Sequence, residues 1–367
     1  MKVVLVHDWL IHMRGGERVL EAIAEIYPDA PVYTLFYNRE KLSPILQNRR
    51  IVPSFLHYLP GIRRYYRWLL PVLPWVIKTL RPEPCDLVLS TSHCVAKAVP
   101  VPRGAAHLCF CHTPMRYLWG FGETYFGGMP GPVKPLLNWI LDRLRAWDAG
   151  ASNKGVDRYI ANSANVAERI RKYWGRKSDV VYPPVDTTYF RPGTSRADFY
   201  LVVSAFVPYK KVDLVIEAFN QLRLPLKIVG SGPLEARYRS LVTNSKIEFL
   251  GSVPDAQLRE LHAQARGLIF PTDEDFGIVP LEAQAAGTPV IALQKGGALE
   301  SVKSGVFFEP QTPEALAGAV KRFEHMTFDP LETARRVQGF DRKNFQAKIA
   351  ALAEQTAAEA SHGFAKK

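Results

Sequence analysis

Short apolar runs alternate with segments of helical periodicity along almost the whole chain, and no other feature restricts the possible folds as much. This alternation predicts an α/β protein with parallel sheets, because the crossover between two parallel strands normally contains a helix. We predict strands at residues 2–7, 31–34, 87–91, 107–111, 158–161, 199–204, 226–229, 247–250, 267–270 and 290–293. We predict helices from about residue 16 and at residues 211–221, 257–265, 279–286 and 331–359, with a frayed end from residue 361.

The length of 367 residues exceeds what one hydrophobic core usually supports, so two domains are expected. The segment 183–197 begins with a proline-rich, aperiodic stretch, as interdomain linkers often do. We therefore predict one domain over residues 1–182 and a second over residues 198–334, joined by this linker.

Charge is distributed unevenly between the two halves of the chain. Residues 1–182 contain 25 Lys and Arg against 14 Asp and Glu, whereas the remaining residues are nearly balanced. This asymmetry points to a polyanionic partner of the first half, either nucleic acid or an anionic membrane surface. No nucleic-acid-binding module is recognisable, so we expect no nucleic acid.

No segment has the length and apolar character of a transmembrane helix. The best candidate, residues 68–80, is interrupted by two prolines and contains a lysine. Cys109 and Cys111 stand beside His112 and could suggest a metal site, but small apolar side chains in a buried strand explain them better. These features predict a reduced, cytosolic protein.

Residues 270–283 contain the pattern that is richest in chemical information. A predicted strand ends at Phe270, and a loop with Gly277 leads into a predicted helix whose N-terminal amides suit a diphosphate. Glu274 precedes that helix and Glu282 lies about one turn inside it, so two acceptor carboxylates stand at the expected ligand crevice. The alternative is a solvated acidic loop followed by an unrelated glutamate. The complete strand–loop–helix context favours a site for a polyhydroxylated ligand.

Glu274 and Glu282 form an E-x7-E motif, and the segment resembles that of the retaining glycosyltransferases of family 4. Three further segments resemble the same family, at residues 202–213, 228–233 and 287–292. The likeness covers nearly the whole chain and is most specific over residues 200–310. It implies the GT-B fold, with two facing Rossmann-like domains, the donor nucleotide on the C-terminal one and the acceptor mainly on the N-terminal one. It also implies that residues 335–367 return to complete the N-terminal domain.

The resemblance implies a role for each residue of these motifs. Glu274 would hold hydroxyl groups of the donor sugar, and Glu282 would hold the ribose of the nucleotide. Lys210 would neutralise the departing diphosphate, which lowers the barrier because the leaving group gains negative charge in the transition state. The other donor-binding candidates of this half are Lys211, Gly230, Phe276, Gly277 and Ile278, the last three through amides that would face the sugar and diphosphate.

One position departs from the family pattern. The family usually has an arginine five residues before the lysine, and here that position is Ala205. The candidates to replace that cation are Lys211, or Arg14 and Arg116 of the other domain, which we also place on the acceptor or sugar side. Lys210 and Lys211 could instead be solvated residues at a helix start, and for Lys211 this alternative stays open.

In the first half, the resemblance implies that the loop after the first strand faces the donor phosphates and the acceptor. Gly15 and Gly16 are therefore donor-binding candidates. His112 resembles the family's active-site histidine, and we expect it to contact the donor sugar or the acceptor hydroxyl; a structural histidine is the alternative. Asp8, which follows His7 at the end of the first strand, is a candidate on the acceptor or sugar side, with capping or a buried hydrogen bond as the alternative.

Residues 55–80 mix aromatic side chains with arginines, a combination that suits a membrane interface and anionic lipid. Residues 117–119, with Tyr117 and Trp119, extend the same character, as do Tyr125, Phe126, Trp139 and Trp147. The alternative is an ordinary helix packed on the sheet with a solvated arginine face. A lipid-linked acceptor also carries a pyrophosphate, so one basic surface could serve both the membrane and the acceptor.

Together with the resemblance, these observations predict a retaining hexosyltransferase of bacterial polysaccharide synthesis that acts peripherally at the inner face of the cytoplasmic membrane. Its acceptor would be lipid-linked or a saccharide. The resemblance implies front-face attack without a protein nucleophile. We expect no metal and no cofactor beyond the donor substrate, because no Asp-x-Asp cluster follows a strand and Lys210 with backbone amides would stabilise the leaving group.

The motifs at residues 7–10, 112–117 and 209–213 most resemble mannosyltransferases of O-antigen and exopolysaccharide synthesis. GDP-mannose is therefore the first choice of donor, and UDP-glucose or another UDP-hexose is the alternative. The alternative from another functional class is a non-catalytic protein that binds a sugar nucleotide or nucleic acid on the same scaffold.

Overall fold

The computed structural model describes residues 1–120, 131–193 and 195–364, with the backbone alone for Arg67 and residues 362–364. The chain forms two compact units, Met1–Tyr182 together with the chain from Phe345 onward, and Pro183–Asn344. Each unit is built on one parallel sheet with buried clusters on both faces. The predicted α/β class with two parallel-sheet units is confirmed.

The first unit has seven strands within its described residues. They are β1 Val3–His7, β2 Val32–Thr34, β3 Ile51–Pro53, β4 Leu87–Ser92, β5 Ala106–Cys111, β6 Arg158–Ala161 and β7 Asp179–Val180, in the order β3-β2-β1-β4-β5-β6-β7. Its α-helices are Gly15–Ile26, Pro44–Gln47, Ile62–Tyr65, Leu73–Val76, Lys134–Ser152, Ala164–Trp174 and most of Arg342–Phe364. Alternate residues of β1 enter different clusters, Val3 and Leu5 on one face and Val4 and Val6 on the other. This two-residue period explains why a fully apolar run forms a strand covered on both faces.

The second unit has six strands within its described residues. They are β8 Tyr200–Val203, β9 Leu226–Val229, β10 Ile247–Gly251, β11 Gly267–Phe270, β12 Val290–Leu293 and β13 Gly305–Phe308, in the order β10-β9-β8-β11-β12-β13. Its α-helices are Val212–Leu222, Glu235–Ser240, Asp255–Gln264, Ile278–Ala285, Ala298–Ser301, Pro313–Glu324 and Pro330–Arg335.

Strand order reverses at one place in each sheet. In the first unit β1 and β4 are neighbours although two strands separate them in the chain, and β8 and β11 have the same relation in the second. The connections leave such a pair in opposite directions, which opens a crevice at the carboxyl ends where α/β sheets bind ligands. The loops after β1, β4, β8 and β11 are therefore the places to look for a site.

The sequence prediction missed β3, β7 and β13. All three are edge strands within the described sheets, and β7 has only two residues. With three and two residues, β3 and β7 are too short to show a clear apolar pattern. Length does not explain the missed β13, which has four residues like β11 and β12.

The helix predicted over residues 331–359 is wrong in its continuity. The structure has the helix Pro330–Arg335, a 3₁₀ turn at Gln338–Phe340 and then the helix Arg342–Phe364. The last helix continues through residue 364, so the fraying predicted from residue 361 is wrong up to that residue; residues 365–367 lie outside the described residues. The first unit includes the chain from Phe345 onward, whereas the return to this unit was predicted to begin at residue 335.

The described part of residues 183–197, predicted as a linker, is counted with the second unit. Val185 forms a parallel bridge with Asp341, and the Thr187 hydroxyl donates a hydrogen bond to the Asp341 carboxylate at 2.6 Å. These contacts attach the start of the segment to the end of the same unit.

Residues 55–80 are not one helix. They form a series of single turns, namely Phe55–Tyr58, Ile62–Tyr65, Tyr66–Leu69, Leu73–Val76 and Ile77–Thr79. Leu56, Ile62 and Leu73 lie in the core, whereas Trp68 and Trp75 expose 77% and 67% of their surface. The segment is thus held by its aliphatic side chains and presents its tryptophans outward.

The other aromatic residues predicted to extend this surface divide into three groups. Trp139 is exposed. Trp147 packs against the core, as do Tyr117 and Trp119. Tyr125 and Phe126 lie outside the described residues. None of the helices in the described parts of the chain is long and apolar enough to cross a bilayer.

Candidate functional site

The strand–loop–helix predicted around Glu274 is present in the second unit. β11 ends at Phe270 and the helix Ile278–Ala285 begins after Gly277, which has φ 99°. A Cβ atom on Gly277 would lie 3.2 Å from both the Phe270 ring and the Ser301 hydroxyl. Only glycine combines this backbone with that space, so the residue turns the chain sharply into the helix. The amides of the first helical turn then stand at the crevice beside β11.

Glu274 and Lys210 meet at this crevice. Lys210 ends the 3₁₀ turn Pro208–Lys210 after β8, and its ammonium donates a hydrogen bond to Glu274 Oε1 as an ion pair. The Thr272 hydroxyl donates to the same carboxylate oxygen at 3.3 Å. Both charged side chains are about one-fifth exposed, so the pair is sheltered and still reachable from solvent. The two residues were predicted from separate motifs, and the neighbouring positions of β8 and β11 bring them together.

Lys211 has a different environment. It is exposed and precedes the helix Val212–Leu222 with φ 54°, a left-handed backbone that costs a non-glycine residue about 1 kcal/mol. The predicted role of Lys211 in donor binding stays a prediction.

Gly230 follows β9 with φ 136°, and a Cβ atom on it would lie 1.8 Å from the Ser204 carbonyl oxygen. The close approach of two chain segments therefore explains this glycine without any ligand. Its predicted donor-binding role stays a prediction that the packing does not require.

Glu282 lies inside the helix Ile278–Ala285, where 12% of its side chain is exposed. Its carboxylate Oε2 is 3.9 Å from Nε2 of His262, a fully buried histidine. Burial lowers the pKa of His262 to about 3, so this imidazole is neutral at physiological pH. A nearly buried carboxylate beside a neutral imidazole suits hydroxyl groups of a ligand, which can donate to it.

Sequence reasoning missed the turn that supports this loop. Gly297 donates its N–H to the Glu274 carbonyl at 2.7 Å, and a Cβ atom on Gly297 would lie 2.2 Å from the Phe276 Cα. Phe276 is buried, and its carbonyl accepts from the Ser301 hydroxyl at 3.0 Å. The Gly296-Gly297 pair after β12 was the available indication, because consecutive glycines often mark a close backbone approach.

In the first unit, Asp8 is fully buried at the end of β1. Its carboxylate accepts four backbone hydrogen bonds at 2.7–2.9 Å, from the consecutive N–H groups of residues 93–96. Asp8 thus holds the loop that follows β4, as in the capping alternative; a contact of Asp8 itself with substrate stays a prediction.

His7 and His112 lie beside Gly16 near the start of the helix Gly15–Ile26. A Cβ atom on Gly16 would lie 3.5 Å from His112 Nε2 and 3.7 Å from His7 Cε1. Burial, together with the nearby His93, lowers the pKa of His7 to about 3. Burial also lowers the pKa of His112, and His7 and His93 contribute less to that shift. Both rings are therefore neutral at physiological pH. The structure brings Gly16 and His112 together, and their roles toward a donor or an acceptor stay predictions.

The remaining candidates of the first unit lie around this helix start. Arg14 is exposed, and its backbone N–H donates to the Glu17 carboxylate at 3.1 Å, while Gly15 is the first helical residue. Arg116 is half-buried in the loop after β5. Their roles stay predictions. No group of three His, Cys, Asp or Glu side chains able to hold a metal ion occurs in the part of the chain that the structure describes.

Two family models match the chain. "Glycosyltransferase Family 4" matches residues 13–189, and "Glycosyl transferases group 1" matches residues 190–340. The two matches adjoin near the boundary between the two units.

Characterised proteins match parts of the chain. A D-inositol 3-phosphate glycosyltransferase from Geodermatophilus obscurus is 32% identical over 202 aligned positions, and the match covers 45% of this chain and 45% of that protein. The O-antigen chain mannosyltransferase C from Escherichia coli is 28% identical over 213 aligned positions, and the match covers 52% of this chain and 56% of that protein. The matches thus span about half the length of these relatives.

A solved structure extends the likeness to nearly the whole chain. HepE from Anabaena, in complex with UDP and glucose, superposes with a TM-score of 0.72 at 18% identity and covers 97% of this chain and 100% of its own. Likeness at this identity shows the fold. The two family models and this fold together show that the chain belongs to the family 4 glycosyltransferases with the GT-B fold.

Proposed function

We propose that this chain is a retaining hexosyltransferase that moves a sugar from a nucleoside-diphosphate sugar, with GDP-mannose as the first choice, to a lipid-linked or saccharide acceptor of bacterial polysaccharide synthesis. The observation that supports this most is the Lys210–Glu274 ion pair, which lies next to the N-terminal turn of the helix Ile278–Ala285. A cation, a helix N-terminus and a carboxylate at one crevice match the diphosphate and the sugar hydroxyls of such a donor.

The proposed reaction breaks the bond between the anomeric carbon and the diphosphate and forms a bond from that carbon to the acceptor oxygen on the same face. The departing phosphate oxygen takes the acceptor proton. Lys210 and the helix amides stabilise the charge that grows on the leaving diphosphate, so the proposal includes no metal and no cofactor. Glu274 holds the sugar, and Glu282 holds the ribose.

Two observations bear on the donor. The likeness to the Escherichia coli O-antigen chain mannosyltransferase C supports a mannose donor. The fold shared with the Anabaena protein bound to UDP and glucose supports the second candidate, a UDP-hexose. With either donor, Lys210 would stabilise the leaving diphosphate and Glu274 would hold the sugar.

We further propose that residues 55–80 attach the protein to an anionic membrane surface, which places the enzyme peripherally at the inner face of the cytoplasmic membrane. The segment contains four basic and no acidic residues. Arg63 and Arg64 are exposed in it together with Trp68 and Trp75. Exposed indole rings and cations suit the headgroup region of anionic lipids.

A panel of GDP- and UDP-sugars tests the enzymatic proposal, with thermal stabilisation and donor turnover measured for each. We expect one donor to raise the melting temperature and to be consumed. Glu274→Ala should lower turnover at least about 100-fold, because charged hydrogen bonds to the sugar are lost. Glu248→Ala, which removes an exposed glutamate of β10, is the matched control.

Stabilisation by a donor without turnover or transfer would favour a non-catalytic binding protein. Full activity of a folded Glu274→Ala variant would show that the motif has been assigned wrongly.

A further inference from the structure

The crevice of the first unit contains a histidine that neither the motifs nor the family resemblance assigns. His93 begins the loop after β4, next to the end of β1. Asp8 holds this loop through four backbone hydrogen bonds, and the same carboxylate lies 3.2 Å from Nδ1 of His93. The backbone and the ring of His93 are thus both positioned by one buried side chain.

This contact decides which ring nitrogen of His93 is available. An ionised carboxylate only accepts hydrogen bonds, so Nδ1 of His93 carries the proton that faces Asp8. In the neutral ring, Nε2 is then an acceptor. The ring packs edge-on against Trp9, with 4.6 Å between ring centroids, and 31% of the side chain is exposed. His93 therefore offers an oriented acceptor at a surface that a ligand can reach.

Two further imidazoles lie around His93. Its ring centroid is 5.9 Å from that of His7 and 6.3 Å from that of His112, and those two are 6.2 Å apart. Nε2 of His7 and Nε2 of His112 are buried and have no hydrogen-bond partner among the described residues. Nδ1 of His7 already bonds the Thr91 hydroxyl at 2.6 Å.

A buried polar atom without a partner is unfavourable, so the two buried ring nitrogens of His7 and His112, beside the partly exposed ring of His93, favour a ligand with several hydroxyl groups. A sugar has this chemistry. We propose that His93, positioned by Asp8, is a saccharide-binding residue whose Nε2 accepts a hydrogen bond from a sugar hydroxyl beside His7 and His112. The sugar is either the acceptor or the transferred hexose, and the involvement of a substrate rests on the proposed function.

Three variants separate binding from a structural role in kinetic assays of the full chain. His93→Ala should raise the KM of one substrate about tenfold, which corresponds to the loss of one hydrogen bond to that substrate. His93→Asn keeps a donor to Asp8 but lacks the distal acceptor, so it should behave like His93→Ala. His93→Gln places an amide oxygen near the position of Nε2 and should restore most of the affinity.

The substrate whose KM changes identifies the bound sugar, acceptor or donor. Recovery by His93→Asn but not by His93→Gln would overturn the proposal, because only the contact with Asp8 would then matter. An unchanged KM for His93→Ala would overturn it as well. Melting temperatures of the three variants show whether each is folded.

A second measurement is independent of transfer. The full chain, labelled with ¹⁵N in its histidine rings, is titrated with the methyl glycosides of mannose, glucose and galactose. We expect saturable chemical-shift changes of the His93 ring nitrogens with at least one of these glycosides. In the His93→Asn variant, we expect smaller chemical-shift changes for the ring nitrogens of the remaining imidazoles. The absence of any shift would overturn the inference, whereas the absence of turnover with every sugar nucleotide would count against the proposed function alone.

Discussion

Lys210 and Glu274 balance each other's charge at the crevice of the second unit. An ammonium group has three donors, so Lys210 can keep its contact with the carboxylate and still donate to a phosphate oxygen. The carboxylate in turn fixes the position of a long, flexible side chain before any substrate arrives. Preorganisation of this kind is what makes a cation effective on a developing negative charge.

Lys210→Ala should lower kcat about 10²–10³-fold, because the stabilisation of the leaving diphosphate is lost mainly in the transition state. Lys246→Ala, which removes an exposed lysine of the same unit, should leave kcat unchanged. Steady-state kinetics with saturating donor measures both. An effect confined to the KM of the donor would show that Lys210 contributes only to ground-state binding.

At the scale of elements, the strands of each unit bring their functional loops together at the reversal of strand order. The loops after β8 and β11 supply Lys210 and Glu274, and those after β1 and β4 supply Asp8 and His93. In both units the paired loops are far apart in sequence. Such a site depends on the correct packing of the strand ends, and glycines make that packing possible.

Gly230 shows how much depends on one glycine. Gly230→Ala should destabilise the second unit by about 3 kcal/mol, because its Cβ atom would overlap the Ser204 carbonyl and the backbone has φ 136°. Gly251→Ala is the control, since φ is 67° there but no heavy atom lies within 4 Å of the added Cβ. Only the backbone strain remains, about 1 kcal/mol. Equilibrium unfolding in urea measures both values; equal losses would contradict the packing argument.

At the scale of the whole molecule, the excess of positive charge belongs to residues 1–182. Residues 41–82 contain eight basic and no acidic residues. Since an exposed basic residue contributes about 1 kcal/mol at an anionic lipid surface, a local group of them is enough for reversible attachment. The exposed tryptophans would add apolar contact at the headgroups.

Vesicle co-sedimentation tests this attachment. Binding to vesicles with anionic phospholipid should be strong in low salt and weaken as salt is added. Arg63→Glu combined with Arg64→Glu should weaken binding at least about tenfold. The matched control reverses two exposed charges of the second unit, Arg237→Glu and Lys246→Glu. Equal binding by both double variants would contradict the proposed surface.

Much of the fold and of the candidate site could be predicted from local sequence. The E-x7-E segment was predicted as strand, loop and helix because its apolar run, its glycine and its carboxylates are consecutive in the chain. The edge strands β3 and β7 were not predicted, since three and two residues leave little pattern. The length of β13 does not explain why it was missed, because it has four residues like β11 and β12. His93 was missed for a different reason. Its significance comes from Asp8, 85 residues earlier in the chain.

The sequence by itself determined the α/β class, the order of most strands along the chain and the identity of Glu274, Lys210 and His112 as site candidates. The class and the strand order depend on periodicity, Glu274 depends on spacing within one loop, and Lys210 and His112 depend on the resemblance to the family 4 glycosyltransferases. Only the tertiary structure decided that Lys210 pairs with Glu274 and that Asp8 orients His93. The reason is physical: strand order places loops from distant segments side by side, and the hydrogen bonds between them have no counterpart in local sequence.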